Sequence, residues 1–155
     1  MKKVLFVCLG NICRSPLAEA IFNHKCQVMG LEKYSSDSAG TAAYHLGKQP
    51  DARSIQVAEE NGIYINHLAR KFVPEDCDKF DFIFAMDESN FSDIVSISGR
   101  QPKNLYLLRD FDSDISEGDR DVPDPYYGGI DGFENIFTMM SGAIENFIKV
   151  ELKKN

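Results

Sequence analysis

The 155-residue chain has no tryptophan, four cysteines, three histidines and six prolines, and basic residues are outnumbered, 17 against 24 acids. Each shortage excludes a class of protein. The longest early apolar run, Val4–Leu9, falls far short of the ~18 residues that a membrane-spanning helix needs. Lys2 and Lys3 ahead of it imitate a signal-peptide start, but the stretch is too short and runs into Asn-Ile-Cys-Arg, so secretion is not expected. Four cysteines with no C-x2-C pair are too sparse for a disulfide scaffold or a zinc site, and a reducing, cytoplasmic setting is expected. With a net charge of −7 and no basic stripe, neither nucleic acid nor a membrane surface is an expected partner. Most of the negative excess sits between Arg109 and Asp131, where eight acids face two arginines.

What is present describes an ordinary globular chain, with 43% hydrophobic residues and 26% charged ones. Residues 1–155 read as a single domain, and area scaling predicts ~7,900 Å² of surface once folded. Strand-like and helix-like segments alternate. Lys3–Cys8 reads as a strand buried on both faces, and Ser15 as the cap of a helix whose apolar stripe runs from Leu17 to Val28 and ends at Gly30. Further strands are expected at Tyr34–Ala39, Phe80–Met86 and Asn104–Leu108. Helices are expected at Asp51–Asn61, Asp87–Ser98 and Phe133–Lys153. The fold class is therefore α/β, a parallel sheet covered by helices on both faces. Ligands of such sheets bind beyond the carboxyl ends of strands where the strand order reverses, which places the loop after Cys8 at the centre of interest.

That loop reads Cys8-Leu9-Gly10-Asn11-Ile12-Cys13-Arg14-Ser15, a C-x5-R spacing followed by a hydroxyl. The spacing alone arises by accident in roughly 15% of chains of this composition. Its context adds to it: a buried strand ends at Cys8, Gly10 and Asn11 tolerate positive φ, and a helix begins after Arg14. Backbone N–H groups from Leu9 to Arg14 curling about one point, with a helix N-terminus and a planar guanidinium, suit a phosphate dianion. An ordinary free thiol is only about 0.3% ionised at pH 6, so a nucleophilic thiol needs such positive surroundings. The plain alternative is a buried cysteine with an arginine paired nearby. Asp124, between Pro123 and Pro125, reads on its residues alone as a solvated turn residue. Asp110, Asp112 and Asp114 imitate a calcium loop, but Ile115 replaces its glycine and Asp121 its final glutamate, so calcium is not expected. Cys13 reads either as a small core residue or as a thiol within reach of Cys8. His24 and His45 read as surface residues, and Met139 and Met140 as packing residues.

Two stretches carry a further resemblance. VCLGNICRSPLAEA (Val7–Ala20) resembles the signature of the low-molecular-weight protein tyrosine phosphatases, and VPDPYYGG (Val122–Gly129) resembles their acid loop. DSAGT, PDAR, NGIYINHLAR and FAMDESN follow in the family's order, so the resemblance covers essentially the whole chain. It implies a four-stranded parallel sheet in the order 2-1-3-4, no metal and no cofactor, and hydrolysis of phosphotyrosine in proteins through a cysteinyl-phosphate. Carried over by position, Cys8 is the nucleophile, Arg14 binds phosphoryl oxygens, and Asp124 protonates the leaving oxygen and then activates water. Asn11 holds the loop in its turn, Ser15 donates to the thiolate, and Ser38 and His67 support that network. Tyr44, Tyr126 and Tyr127 line the substrate slot, and Cys13 forms a reversible bridge with Cys8 on oxidation. The partner implied is a phosphotyrosine protein, met by a monomer or weak dimer. Three other readings stay open: a protein arginine phosphatase, whose subgroup carries Thr at the position of Ile12 and lacks the paired tyrosines; a thiol-dependent arsenate reductase, which needs more mid-chain cysteines than Cys77; and a phosphate-binding module without turnover.

Overall fold

In the computed structural model, which describes residues 1–113 and 119–154, the first apolar run forms strand β1 (Lys2–Cys8) at the centre of the sheet. β2 (Tyr34–Gly40) and β3 (Phe82–Ala85) pair with it on either side, and β4 (Leu105–Leu107) pairs with β3, all parallel. The order is β2-β1-β3-β4. Strand alternation sends Val4, Phe6, Cys8 and Phe84 into one core and Leu5, Val7, Ile83 and Ala85 into another. α1 (Arg14–Met29) and α5 (Ile130–Lys153) cover the first, with Ile21, Phe22, Ile144 and Phe147 buried there. α4 (Glu88–Ser98) covers the second through Ile94. Helices thus lie on both faces. The surface of 8017 Å² is close to the value expected for one compact chain of this mass.

Helix boundaries follow local chemistry, with one correction. α2 (Ala52–Glu60) is capped by Asp51, which accepts from the Arg53 N–H at 2.9 Å. Asp87 caps α4 in the same way, accepting from the Asn90 N–H at 2.7 Å, and Gly30 and Gly99 end α1 and α4 in the left-handed region. Ser15 does not cap α1 as expected. The cap position falls to Cys13, with no side-chain bond, because the Ser15 hydroxyl is turned inward onto Cys8. Nor does the apolar stripe of α1 reach Val28, which is 71% exposed. The amino-terminal half of α1 is instead buried almost all round, wedged between the sheet, α2 and α5. Two short elements escape sequence periodicity, α3 (Asp76–Lys79) and a 3-10 turn at Leu108–Phe111, each about one turn long.

The strand order reverses at β1: the chain leaves it for β2 at one edge and crosses back to β3 on its other side. The loop after Cys8 therefore lies in the crevice at the switch point.

Candidate active site

Between β1 and α1 the backbone turns through Asn11, whose φ of 58° is the one positive value outside glycine among the described residues. Asparagine tolerates that region better than most residues. The loop's carbonyls are tied outward. The oxygens of Cys8 and Leu9 accept from the N–H groups of Thr41 and Ala42, each at 2.9 Å. Those of Ile12 and Cys13 accept from the Asp51 N–H at 2.7 Å and the Ser54 hydroxyl at 2.9 Å. Among the described residues no backbone bond takes the N–H of Leu9, Gly10, Asn11, Ile12 or Cys13. Acceptors are satisfied outside and donors are left for the cleft, the polarity of an anion-binding nest. Gly40, paired with Cys8 across the sheet, makes this packing possible, since a Cβ there would lie 2.7 Å from the Leu9 oxygen and 3.0 Å from the Asn11 nitrogen.

Behind the loop, one amide organises the polar side chains. Asn11 Oδ1 accepts from the Arg70 N–H at 2.9 Å, and because a backbone N–H can only donate, the amide's orientation follows. Its Nδ2 then donates to Ser15 Oγ at 2.7 Å and Ser38 Oγ at 3.1 Å. Ser15 Oγ lies 3.0 Å from Cys8 Sγ, within reach to donate to a thiolate. His67 Nε2 sits 2.7 Å from Asn11 Oδ1 and 3.2 Å from Ser38 Oγ, and the Ser38 hydroxyl donates to Glu19 Oε1 at 2.7 Å. Burial pushes the Glu19 carboxyl up to about 7, against the Ser38 bond and with help from Asp37. Burial likewise pulls His67 below its ordinary value, favouring neutral imidazole.

Arg14 is 2% exposed, and its Nη1 donates to Asp87 Oδ2 at 2.7 Å and to the Val122 carbonyl at 2.9 Å. Burial opposes its charge, but Cys8, Asp87 and Asp124 outweigh that and raise the guanidinium above its ordinary value. Asp87 thus serves both the cap of α4 and the aim of Arg14. Val122 also donates its N–H to the Met86 oxygen at 2.8 Å, fastening the start of the acid loop to the end of β3.

Asp124 stands on that loop, 39% exposed, with Oδ2 3.7 Å from Arg14 Nη2 and Oδ1 accepting from the Tyr126 N–H at 3.1 Å. Arg53 holds the rest of the loop. Its two terminal nitrogens donate to the carbonyls of Gly128 at 2.6 Å and Tyr126 at 2.9 Å, its guanidinium pairs with both oxygens of Asp51 at 3.0 Å, and it lies 4.4 Å over the Phe133 ring. That pairing lowers the Asp51 carboxyl.

Cys8, the loop, Arg14, Asp124, Tyr44, Tyr126 and Tyr127 all border one cleft of about 110 Å³. His45, expected as a surface residue, is half-buried in the same wall, its ring 6.2 Å from that of Tyr126 and its Cδ2 3.0 Å from where a Gly10 Cβ would be. All four cysteines are free, and burial, followed by Asp51 and Cys8, raises the Cys13 thiol far above its ordinary value. In the imitated calcium loop, Asp110 pairs with Arg120 at 2.9 Å, Asp112 with Arg109 at 3.0 Å, and Asp121 accepts from the Glu88 N–H at 3.0 Å. Asp114 and Ile115 lie outside the described residues. Asp87, Arg53, Gly40 and Glu19 join the site without a motif of their own in the sequence. Their one signal was membership of the matching stretches FAMDESN, PDAR, DSAGT and VCLGNICRSPLAEA.

A thiol at the floor of an amide nest, with a fixed arginine and a carboxylate across the mouth, belongs to cysteine-centred phosphoryl-transfer sites on an α/β sheet. The family model described as low molecular weight phosphotyrosine protein phosphatase matches residues 3–155. A low molecular weight phosphotyrosine protein phosphatase of Schizosaccharomyces pombe is 45% identical over 150 residues, 95% of each chain. Among solved structures, a protein tyrosine phosphatase from Entamoeba histolytica superposes with a TM-score of 0.91 at 42% identity, covering 100% of both chains. A Drosophila arginine phosphatase superposes at 0.88 with 35% identity, over 97% of this chain and 98% of that one. The chain belongs to the low-molecular-weight phosphotyrosine protein phosphatase family and is a hydrolase of phosphoric monoesters. No helix among the described residues is long and apolar enough to cross a membrane.

Proposed function

We propose that residues 1–155 act as one catalytic domain that removes phosphate from tyrosine side chains of proteins. The observation that carries this reading is the polarity of the loop, carbonyls bonded outward and amides left inward, around Cys8 Sγ. In the first step the Cys8 thiolate attacks phosphorus, the phosphorus–oxygen ester bond breaks, and its electron pair goes to the phenolic oxygen, which takes the proton of Asp124. In the second, water attacks the cysteinyl-phosphate, gives its proton to the Asp124 carboxylate, and the phosphorus–sulfur bond breaks to return thiolate and phosphate. Arg14 and the amides hold the equatorial oxygens throughout. Ser15 donates to the thiolate, and Asn11, Ser38 and His67 keep Ser15 and the loop in place. Cys13 is the resolving thiol when Cys8 is oxidised. Its raised pKa keeps it protonated during turnover, so it does not compete as a nucleophile.

Tyrosine fits the cleft by reach. Its phosphorus stands a ring's length farther from the backbone than that of phosphoserine, and Tyr44, Tyr126 and Tyr127 border the path. Ring contacts add about 0.5–1.5 kcal/mol each, so two acting together give roughly ten- to hundredfold selectivity. The similarity to an arginine phosphatase favours phosphoarginine as a second reading, against which stand Ile12 in the cleft wall and the paired tyrosines. The protein is taken to work in the cytoplasm, as a monomer or weak dimer, on phosphoproteins rather than nucleic acid or membranes. Its free cysteines and net charge of −7 support this. Steady-state rates on phosphotyrosine, phosphoserine and phosphoarginine peptides, with arsenate reduction as control, provide the test. Phosphotyrosine is expected to exceed phosphoserine at least about tenfold in kcat/KM. Faster hydrolysis of phosphoarginine would replace the tyrosine assignment.

A further inference from the structure

His45 enters the cleft wall from the loop after β2. Its carbonyl accepts from the Lys48 N–H at 2.9 Å, with Gly47 between them at a φ of 75°, a left-handed value that glycine takes without strain. The turn is fastened to the segment carrying His67, because the Gly47 N–H donates to the Ala69 oxygen at 2.8 Å and the Ala69 N–H donates to the Lys48 oxygen at 2.9 Å. The His45 ring lies between two others, edge-on to Tyr44 at 6.4 Å and tilted against Tyr126 at 6.2 Å. Beneath it is Gly10 of the phosphate loop. Gly10 is not among the glycines at positive φ, so its backbone would admit a side chain, but a Cβ there would stand 3.0 Å from His45 Cδ2 and 3.6 Å from His45 Nε2. The missing side chain therefore serves the seat of the imidazole and not the conformation of the loop.

Seated in this way, the imidazole satisfies nothing in the fold. Among the described residues no group bonds to either ring nitrogen, and neither nitrogen is buried, so both are open to the cleft side. The titratable and charged groups around it are Cys8, Arg14, Asp124, Tyr44, Tyr126 and Tyr127 across and along the cleft, and Lys48 on its own turn. Of the residues bordering the cleft, Arg14 and His45 alone can be cationic. Arg14 is 2% exposed and committed at the floor to Asp87 and Val122, and Arg53 is taken up by Asp51 and two loop carbonyls. At the rim, His45 is left as the free nitrogen donor, and imidazole as a class carries positive charge in mild acid. Asp124 holds a proton when it acts as the acid, so in that state it does not repel an anion nearby.

We propose that His45 is a specificity-determining residue whose ring N–H donates to a carboxylate on the residue beside phosphotyrosine, so that the favoured substrates are phosphotyrosine sites flanked by Asp or Glu. This rests on the reading of the cleft as a phosphotyrosine slot. The contact lies outside the phosphoryl group and is made equally before and during the reaction. It therefore acts on KM, and the chemical step stays with Cys8, Arg14 and Asp124.

The test measures steady-state rates at about pH 6 on synthetic phosphotyrosine peptides that differ only in the residues flanking the phosphotyrosine, which are glutamate, glutamine or lysine. The full chain is compared with His45→Phe, which keeps a ring between Tyr44 and Tyr126 but no nitrogen, and with His45→Gln, which keeps a donor but no charge. The parent is expected to favour the glutamate peptide over the glutamine peptide at least about fivefold in kcat/KM, through KM. In His45→Phe that ratio should fall to near one, and in His45→Gln it should lie between the two. Equal kcat/KM on the glutamate and glutamine peptides, a preference for the lysine peptide, or a glutamate preference that survives in His45→Phe would overturn the proposal while leaving the phosphotyrosine reading in place. No turnover of any of these peptides, with phosphoarginine hydrolysed instead, would overturn that reading and the proposal with it.

Discussion

Asn11–Ser15 is buried at every residue and bonded to Asp51, Ser54, Ser38, His67 and Arg70, whereas the facing Val122–Gly129 is buried only at Val122 and Pro125. The two walls of one cleft are held by different means. The phosphate loop has its dipoles aimed before any ligand arrives, which is what electrostatic stabilisation of a transferring phosphoryl group requires. The acid loop must admit a leaving group and let it go, so it stays exposed, and two prolines and the Arg53 clamp supply its stiffness. Chemistry that depends on the buried wall should be lost outright on mutation. Chemistry that depends on the exposed wall should be lost in part, by an amount that varies with the substrate.

The largest effect is expected at the buried wall. Cys8→Ser should lower turnover by more than ~10⁴ while phosphate affinity, read by calorimetry, stays within about tenfold, because nest and arginine remain. Turnover near that of the parent would remove Cys8 from the chemistry. Across the cleft, Asp124→Ala should lower kcat by ~10²–10⁴ on phenyl phosphate and much less on a strongly acidic nitrophenyl ester, whose oxygen needs no proton. Equal losses on both esters would contradict its role as acid.

Smaller changes sharpen the contrast. Arg53→Leu frees Tyr126 and Gly128 without touching the nest, so kcat should fall about tenfold, or ~1.4 kcal/mol, with phosphate affinity unchanged. A parallel fall in phosphate affinity would show that the walls are not separable. The smallest effect on activity is expected from Glu19→Gln, whose signature is stability against pH. With its carboxyl raised from 4.5 to about 7, native Glu19 holds a proton that the unfolded chain has released, so its contribution to stability falls as pH rises through that window. His67, pulled down by burial, acts with the opposite sign near its own titration. Measured by denaturant unfolding, the variant should gain on the parent by up to about 3 kcal/mol between pH 4.5 and 8. A constant difference would mean that Glu19 is ionised throughout.

Strand and helix positions were legible because they depend on local pattern: the run from Lys3 to Cys8, the stripe from Phe133 to Ile148, and the caps Asp51 and Asp87 each lie within a few residues of what they control. The phosphate loop was legible for the same reason, as one contiguous stretch. Strand order was not periodic information and came through the family resemblance. Ser15 carries the local signature of a cap without being one, because a hydroxyl before an apolar stripe looks the same whether it turns to the helix N–H groups or to a thiol.

The amino-acid sequence by itself determined the alternation of strands and helices, the C-x5-R loop and the Pro-Asp-Pro acid loop, since each is set by neighbours along the chain. Only the tertiary structure decided what holds them. Arg14 meets Asp87 across 73 residues of sequence, Asn11 meets His67 across 56, and Gly40 is required where it stands because the β1–β2 register presses it against the loop. Such contacts follow from the packing of distant surfaces, and no local propensity encodes them. Glu19 and His67 converge on Ser38 in the same way, at a point that exists only once α1 has docked on the sheet.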